Sequence, residues 1–245
     1  GALHQGHASL VEKARDENEV VVVSIFVNPT QFNNPEDLDK YPKNLDADLR
    51  KLEGIPCKIH VFAPEVAEMY EEGVKSREFD FNGMDRVMEG SYRPGHFDGV
   101  GTIVETLLRL TRPDRAYFGE KDYQQLQIIK RLVSQERIPV SIIACPIVRE
   151  SDGLAMSSRN QLLTKRLRPK AGFIHQTLLE AKSRFGTESA EKVKDFVRET
   201  FASQPDFELE YMEIADAETL EPVLRKDDAR TYRGFIAAYL DGVRL

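Results

Sequence analysis

Only two cysteines occur in 245 residues, Cys57 and Cys145, and they stand far apart with no CxxC spacing. That excludes a disulfide framework and a thiolate zinc site. Both read as small buried hydrophobes suited to a reducing cytoplasm. Positive charge is in deficit: 34 Lys and Arg against 41 Asp and Glu give a net charge of −7. Broad binding to nucleic acid or to an anionic membrane is therefore not expected, although a phosphate group can still be held locally. No stretch approaches the roughly 18 apolar residues of a membrane span, and no signal-peptide pattern is visible. Internal repeats and low-complexity tracts are absent too. What remains is 41% hydrophobic and 31% charged. That is the balance of a soluble globular protein with one large or two modest domains, at about 100–200 residues each.

The first part of the chain alternates helix and strand. Ala8 to Asn18 reads as a helix with Leu10, Val11 and Ala14 on one face. Val20 to Val27 is a β-branched run, the pattern of a strand buried on both faces of a parallel sheet. An acidic amphipathic helix is expected from Pro42 to Glu53, stopped by Gly54, then a short strand from Cys57 to Phe62. Phe97 to Leu110 places Val100, Ile103, Val104, Leu107 and Leu108 on a core-facing stripe and halts before Pro113. Strand, helix and strand follow at Arg115–Phe118, Asp122–Gln135 and Val140–Cys145. This rhythm predicts an α/β fold with a Rossmann-like, doubly wound parallel sheet. After Pro146 it changes, with helices at Arg166–Phe185 and Ala190–Ala202 and strands at Phe207–Ile214 and Tyr232–Leu240. The expected domains are a Rossmann-like ligand-binding domain, 1–145, and a smaller α+β lid domain, 146–245. Asn33–Asp37 and Met84–Gly95 read as loops, the second long enough for a lid or a partner surface.

Three segments carry chemistry. His4-Gln5-Gly6-His7 opens the first helix. Glycine lets a ligand approach the backbone, a helix N-terminus favours phosphate, and two histidines can stabilise charge on a departing pyrophosphate. Alone, the same four residues also fit an incidental surface. Gly119-Glu120-Lys121-Asp122 follows a strand, where ligands bind in open α/β sheets. Lys121 can neutralise phosphate, and Asp122 can accept ribose hydroxyls or simply cap its helix. Gln125 lies one turn on, and Gln31 emerges at the same end of the sheet, so two neutral amides can hydrogen-bond a hydroxy acid. Met156-Ser157-Ser158-Arg159 offers two hydroxyls and a forked cation near the domain junction, suited to phosphate or to an ordinary polar loop.

In order, GALHQGH, VVVVSIFVNPTQF, PEDLDKYP, RPGHFDGV, RPDRAYFGEKDYQQL and VRESDGLAMSSRN strongly resemble the pantothenate synthetases (pantoate–β-alanine ligases). These belong to the HxGH nucleotidyltransferase superfamily, distantly related to class I aminoacyl-tRNA synthetases. The resemblance weakens after residue ~163 but reaches Ala237–Leu240. It implies that pantoate's carboxylate attacks ATP, giving pantoyl adenylate and pyrophosphate, and that β-alanine then displaces AMP. The implied partners are ATP with Mg²⁺ as substrate complex, pantoate and β-alanine, in a cytoplasmic homodimer without nucleic acid or membrane. The magnesium would arrive on the phosphates, with no metal site in the protein. By motif match, ATP is held by Gly1, Ala2, Leu3, His4, Gln5, Gly6 and His7, by Gly119, Glu120, Lys121 and Asp122, by Val148, and by Met156, Ser157, Ser158 and Arg159. His7, His4, Lys121 and Arg159 are the implied catalytic residues. Gln31 and Gln125 would hold pantoate, and Gln31 also β-alanine. The substrate carboxylate is itself the nucleophile, so no Ser-His-Asp or Cys-His arrangement is needed. Catalysis would come from positioning and charge stabilisation.

The family begins with a strand ending in Pro-Thr-Met ahead of the glycine matching Gly1, where this sequence starts. That strand is central in a doubly wound sheet, and its loss leaves backbone groups unpaired. The expectation is a fragment of a longer chain, poorly active alone. The alternatives are a nucleotide-binding-only fragment and another HxGH adenylyl- or cytidylyltransferase, which AMP release would separate.

Overall fold

The computed structural model describes residues 2–32, 38–39, 41–70 and 73–245. The chain forms two compact units, Gly1–Val148 and Arg149–Leu245, each with its own core.

The first unit runs α1 (Gln5–Glu17), β1 (Val21–Ser24), α2 (Leu45–Glu53), β2 (Ile59–Phe62), the one-turn helices α3 (Val66–Met69) and α4 (Glu89–Tyr92), α5 (His96–Thr111), β3 (Arg115–Gly119), α6 (Tyr123–Gln135) and β4 (Ser141–Cys145). Strands β1 and β2 pair in parallel, from Val21 opposite Ile59 to Ser24 opposite Phe62. Strands β3 and β4 do likewise, from Arg115 opposite Ser141 to Gly119 opposite Cys145. Parallel neighbours need a crossover, and α2 and α6 supply the two. The strands form two pairs, and α1 packs on both β1 and β3. Polar contacts reinforce that bridge: Asn18 Nδ2 donates to the Tyr117 hydroxyl at 2.7 Å, which donates to Glu17 at 2.8 Å.

Helices α5 and α6 bury their apolar stripes against each other, with Phe97, Val100, Ile128, Ile129 and Leu132 in one cluster with Phe81. Full burial of such a side chain contributes about 1.5–3 kcal/mol. Helix α5 stops at Thr111 because Arg112 precedes a proline, which disfavours helical backbone there. Arg112 turns to φ 44° and caps it. The Val20–Val27 strand is shorter than expected and not buried on both faces: Val20 is 63% and Val22 48% exposed. Helix α1 covers the face carrying Val21 and Val23, and β-branched content alone does not say whether the opposite face is covered.

The Met84–Gly95 segment, expected as a loop for a lid or a partner surface, contains a short helix. Its centre is α4, and the buried Gln124 fastens it: Nε2 donates to the carbonyls of Met84 and Val87, both at 2.8 Å, and Oε1 accepts the Glu89 N–H at 3.0 Å. Gly90 packs so closely there that a Cβ would lie 1.8 Å from the Asp85 carbonyl oxygen. The expected Asn33–Asp37 loop lies outside the described residues.

The second unit holds α7 (Phe173–Phe185), α8 (Ala190–Ala202) and an antiparallel sheet of β5 (Phe207–Asp216), β6 (Tyr232–Leu240) and β7 (Val243–Arg244). A register shift between Leu209 and Tyr211 bends β5 against β6. Helix α8 packs on β5 through the buried Val193, Val197 and Phe201. The helix expected from Arg166 starts only at Phe173. Pro169 and Gly172 interrupt it, leaving a separate 3₁₀ turn at Arg168–Lys170. Among the described residues no helix is long and apolar enough to cross a membrane.

Candidate active site

His4 is the N-cap of α1, and the His4 N–H donates to His7 Nδ1 at 3.3 Å, one turn inside. The two imidazoles are close but tilted by 32°, with centroids 3.9 Å apart. Burial lowers the His7 pKa to about 4, the adjacent His4 adds to the effect, and Asp122 and Lys121 make smaller contributions of opposite sign. His7 is therefore neutral at physiological pH. Because its Nδ1 accepts a hydrogen bond, its proton resides on Nε2. Ahead of the motif, the Leu3 N–H donates to the buried Asp48 at 2.6 Å, and the Leu3 carbonyl accepts from Lys51. The Ala2 N–H donates to the Pro42 carbonyl at 3.0 Å.

At the end of β3, a Cβ on Gly119 would meet no atom within 4 Å, so the backbone there borders open space. Glu120–Asp122 makes a 3₁₀ turn into α6. Asp122 is the N-cap of α6, yet its side chain makes no capping hydrogen bond. It lies 3.3 Å from Lys121 Nζ instead, with both side chains well exposed. Capping, one of the two roles open to Asp122, is thus not realised. Its charge acts on both His7 and His96. Gln125 is half-buried on α6, beside the fully engaged Gln124.

Gln31 closes a 3₁₀ turn, Pro29–Gln31, that is locked to α5. Its carbonyl oxygen accepts from Arg93 Nη2 at 2.8 Å and from His96 Nδ1 at 3.0 Å. The buried Asn28 donates to the Gly99 carbonyl at 3.0 Å and accepts from Thr30 at 3.1 Å and from the Tyr70 hydroxyl. Gly99 allows this docking, since a Cβ would sit 2.5 Å from the Thr30 carbonyl oxygen. Burial lowers the His96 pKa to about 4, with Arg93 adding to the effect. Neither Gln31 nor Gln125 has its side-chain amide hydrogen-bonded among the described residues.

Val148 is the last residue of the first unit. In the second, Arg149 and Ala155 bridge the ends of a tight loop. Ser157 caps the following 3₁₀ turn by accepting the Arg159 N–H at 3.2 Å. Met156, Ser157 and Arg159 are half-buried, and Ser158 is buried. Asn160 Nδ2 donates to the Ala155 carbonyl at 3.1 Å and to Glu150 at 3.4 Å, tying the turn back to the loop. Arg168 grips Asp152 at the loop's tip.

The structure thus groups His4, Gln5, Gly6 and His7 on one helical turn, keeps Lys121 beside Asp122, and ties Gln31 to His96. Met156–Arg159 form a separate loop in the second unit. Gly1 lies outside the described residues. Arg93, His96, Asn28, Asp48, Lys51 and Gln124 were not singled out from the sequence as site residues, although Arg93 and His96 stand in the RPGHF stretch. Among the described residues no group of three or more His, Cys, Asp or Glu could hold a metal ion.

A family model described as pantoate-beta-alanine ligase matches residues 1–245. The pantothenate synthetase of Christiangramia forsetii is 52% identical over 245 residues, covering 100% of this chain and 87% of the relative. That of Bacteroides fragilis is 48% identical, covering 100% and 86%. Among solved structures, pantothenate synthetase from Thermus thermophilus matches with a TM-score of 0.92 at 41% identity, covering 100% of this chain and 88% of that one. Pantoate-beta-alanine ligase from Francisella tularensis, complexed with beta-gamma ATP and beta-alanine, matches at 0.79 and 37%, covering 100% and 84%. With the family model matched across its whole length, this chain belongs to the pantoate–β-alanine ligase family.

Proposed function

We propose that this enzyme condenses pantoate with β-alanine in two steps. Pantoate's carboxylate attacks the α-phosphorus of ATP, the bond to the bridging oxygen breaks, and pantoyl adenylate and pyrophosphate form. The β-alanine amine then attacks the acyl carbon, loses a proton and expels AMP, leaving the amide. ATP arrives with its magnesium as one substrate. The protein supplies no nucleophile, and its contribution is orientation and charge stabilisation.

The observation that carries this reading is the HxGH turn at the start of α1, with the His4 N–H donating to His7 Nδ1 at 3.3 Å, in a chain that matches the pantoate–β-alanine ligase family from residue 1 to 245. His7 and His4 donate to the departing phosphates, with the N-terminus of α1 adding its dipole. Lys121 neutralises phosphate charge, Asp122 accepts ribose hydroxyls, and Gly119 leaves room for the nucleotide. Ala2, Leu3, Gln5, Gly6, Glu120 and Val148 complete the nucleotide contacts on the first unit. Met156, Ser157, Ser158 and Arg159, in the second unit, are the remaining residues we assign to ATP binding. Gln31 and Gln125 hold pantoate through amides that no described protein group engages, and Gln31 also meets β-alanine. A cytoplasmic homodimer belongs to the same reading.

Mass analysis of products formed from ATP, pantoate and β-alanine tests it. AMP together with the amide is expected. A dinucleotide-type product, or nucleotide binding without turnover, would replace it with another HxGH transferase or a binding module.

A further inference from the structure

One face of α2 grips the backbone just ahead of the HxGH turn. Asp48 and Lys51 lie three residues apart and so share a helical face. Asp48 is only 1% exposed, and its Oδ1 accepts the Leu3 N–H at 2.6 Å. A carboxylate that deep is costly unless it is hydrogen-bonded, and the partner it finds is main chain 45 residues away. Lys51 Nζ donates to the carbonyl of the same Leu3.

That carbonyl and the His4 N–H are the two ends of one planar peptide. Holding its oxygen aims its N–H, and the His4 N–H donates to His7 Nδ1 at 3.3 Å. A nitrogen that accepts a hydrogen bond carries no proton, so the peptide selects the His7 tautomer with hydrogen on Nε2. A cation on the carbonyl also polarises the peptide and strengthens the N–H as a donor. Leu3 is already placed by packing beside Val11, Leu52 and Ile55. What the polar contacts add is orientation: Lys51 holds the oxygen of the Leu3–His4 peptide, and Asp48 holds the N–H of the preceding Ala2–Leu3 peptide, fixing Leu3 from both sides.

We propose that Lys51, which holds the Leu3–His4 peptide directly, and Asp48, which holds the adjoining Ala2–Leu3 peptide, are positioning residues that fix the tautomer of His7. The inference rests on the reading of His7 as hydrogen-bond donor to the departing pyrophosphate. The other tautomer would turn a lone pair, not a proton, toward the phosphate oxygens.

The test uses Lys51→Met, which keeps the stem and removes the donor, Asp48→Ala, and Asp48→Asn, which keeps an acceptor. The tautomer is read from the imidazole ¹⁵N shifts of His7 in ¹⁵N-histidine-labelled enzyme, and the two half-reactions are timed separately. Wild type and Asp48→Asn should show hydrogen on Nε2, while Lys51→Met and Asp48→Ala should show mixed tautomers. In those two variants pyrophosphate release from ATP and pantoate should slow about 10- to 100-fold. Capture of a supplied pantoyl adenylate by β-alanine should stay within about twofold of wild type. If Asp48→Ala does not fold, Lys51→Met carries the test, because Lys51 is exposed. An unchanged tautomer in Lys51→Met would overturn the proposal, as would equal loss in both half-reactions. Wild type releasing no pyrophosphate would instead overturn the proposed reaction, while the ¹⁵N shifts would still decide the positioning role.

Discussion

His96 Nδ1 lies 3.0 Å from the carbonyl oxygen of Gln31, across 65 residues of sequence. The contact needs a ring proton on Nδ1. Burial keeps the whole ring neutral at physiological pH by lowering its pKa to about 4 from the ordinary 6.5. The unfolded chain takes up a proton as pH falls through 6.5, but the folded chain resists until about pH 4. This stability is complete above the unfolded value and is lost as pH falls toward the folded one, at about 1.4 kcal/mol per pH unit. Urea unfolding at pH 7 and pH 5 should therefore show a decline about 2 kcal/mol smaller in His96→Asn than in wild type. Equal declines would contradict a neutral, buried His96.

Adjacent glutamines on α6 should behave in opposite ways. Gln124 satisfies three backbone groups of the Met84–Glu89 segment, so Gln124→Ala should cost about 2–4 kcal/mol in urea unfolding. Gln125→Ala should change stability by less than about 0.5 kcal/mol. It should instead raise the KM for pantoate about tenfold, with the KM for ATP unchanged. Unaltered pantoate kinetics would remove Gln125 from the site.

Lys121→Ala should slow adenylate formation about 100- to 1000-fold, the scale of losing one charge-stabilising group. Capture of a supplied adenylate by β-alanine should be nearly unaffected. Equal loss in both half-reactions would contradict its assignment to the phosphates.

Gly153 adopts φ +88°, and a Cβ there would lie 2.0 Å from His175 Nδ1. Gly153→Ala thus meets both a strained backbone and a clash, and should cost about 2–4 kcal/mol. Adding His175→Ala should recover only the steric part, so thermal unfolding of the double variant should fall between wild type and the single. Full recovery would show that the backbone conformation costs nothing.

The sequence made the long periodic elements legible. Helix α5 declares itself through its Val100–Leu108 stripe, α6 was expected over Asp122–Gln135, and the HxGH and SSRN segments stand out by residue type. The late start of α7 was written in Pro169 and Gly172. The exposure of Val22 was not legible, because a β-branched run carries no mark of which faces other elements cover. Asp122 was ambiguous, since a cap and a ligand use the same carboxylate at the same place; the structure adds that it does not bond the helix backbone. Asp48 and His96 stayed hidden for a different reason. Their partners are the main-chain atoms of Leu3 and Gln31, 45 and 65 residues away, and a backbone acceptor or donor leaves no signature of residue type.

The most direct measurement is rapid mixing of the enzyme with ATP and pantoate in the absence of β-alanine, followed by timed assay of pyrophosphate and AMP. A burst of about one pyrophosphate per active site is expected, with AMP appearing only when β-alanine is added. No pyrophosphate until β-alanine is present, or AMP release that does not need pantoate, would contradict a pantoyl-adenylate intermediate.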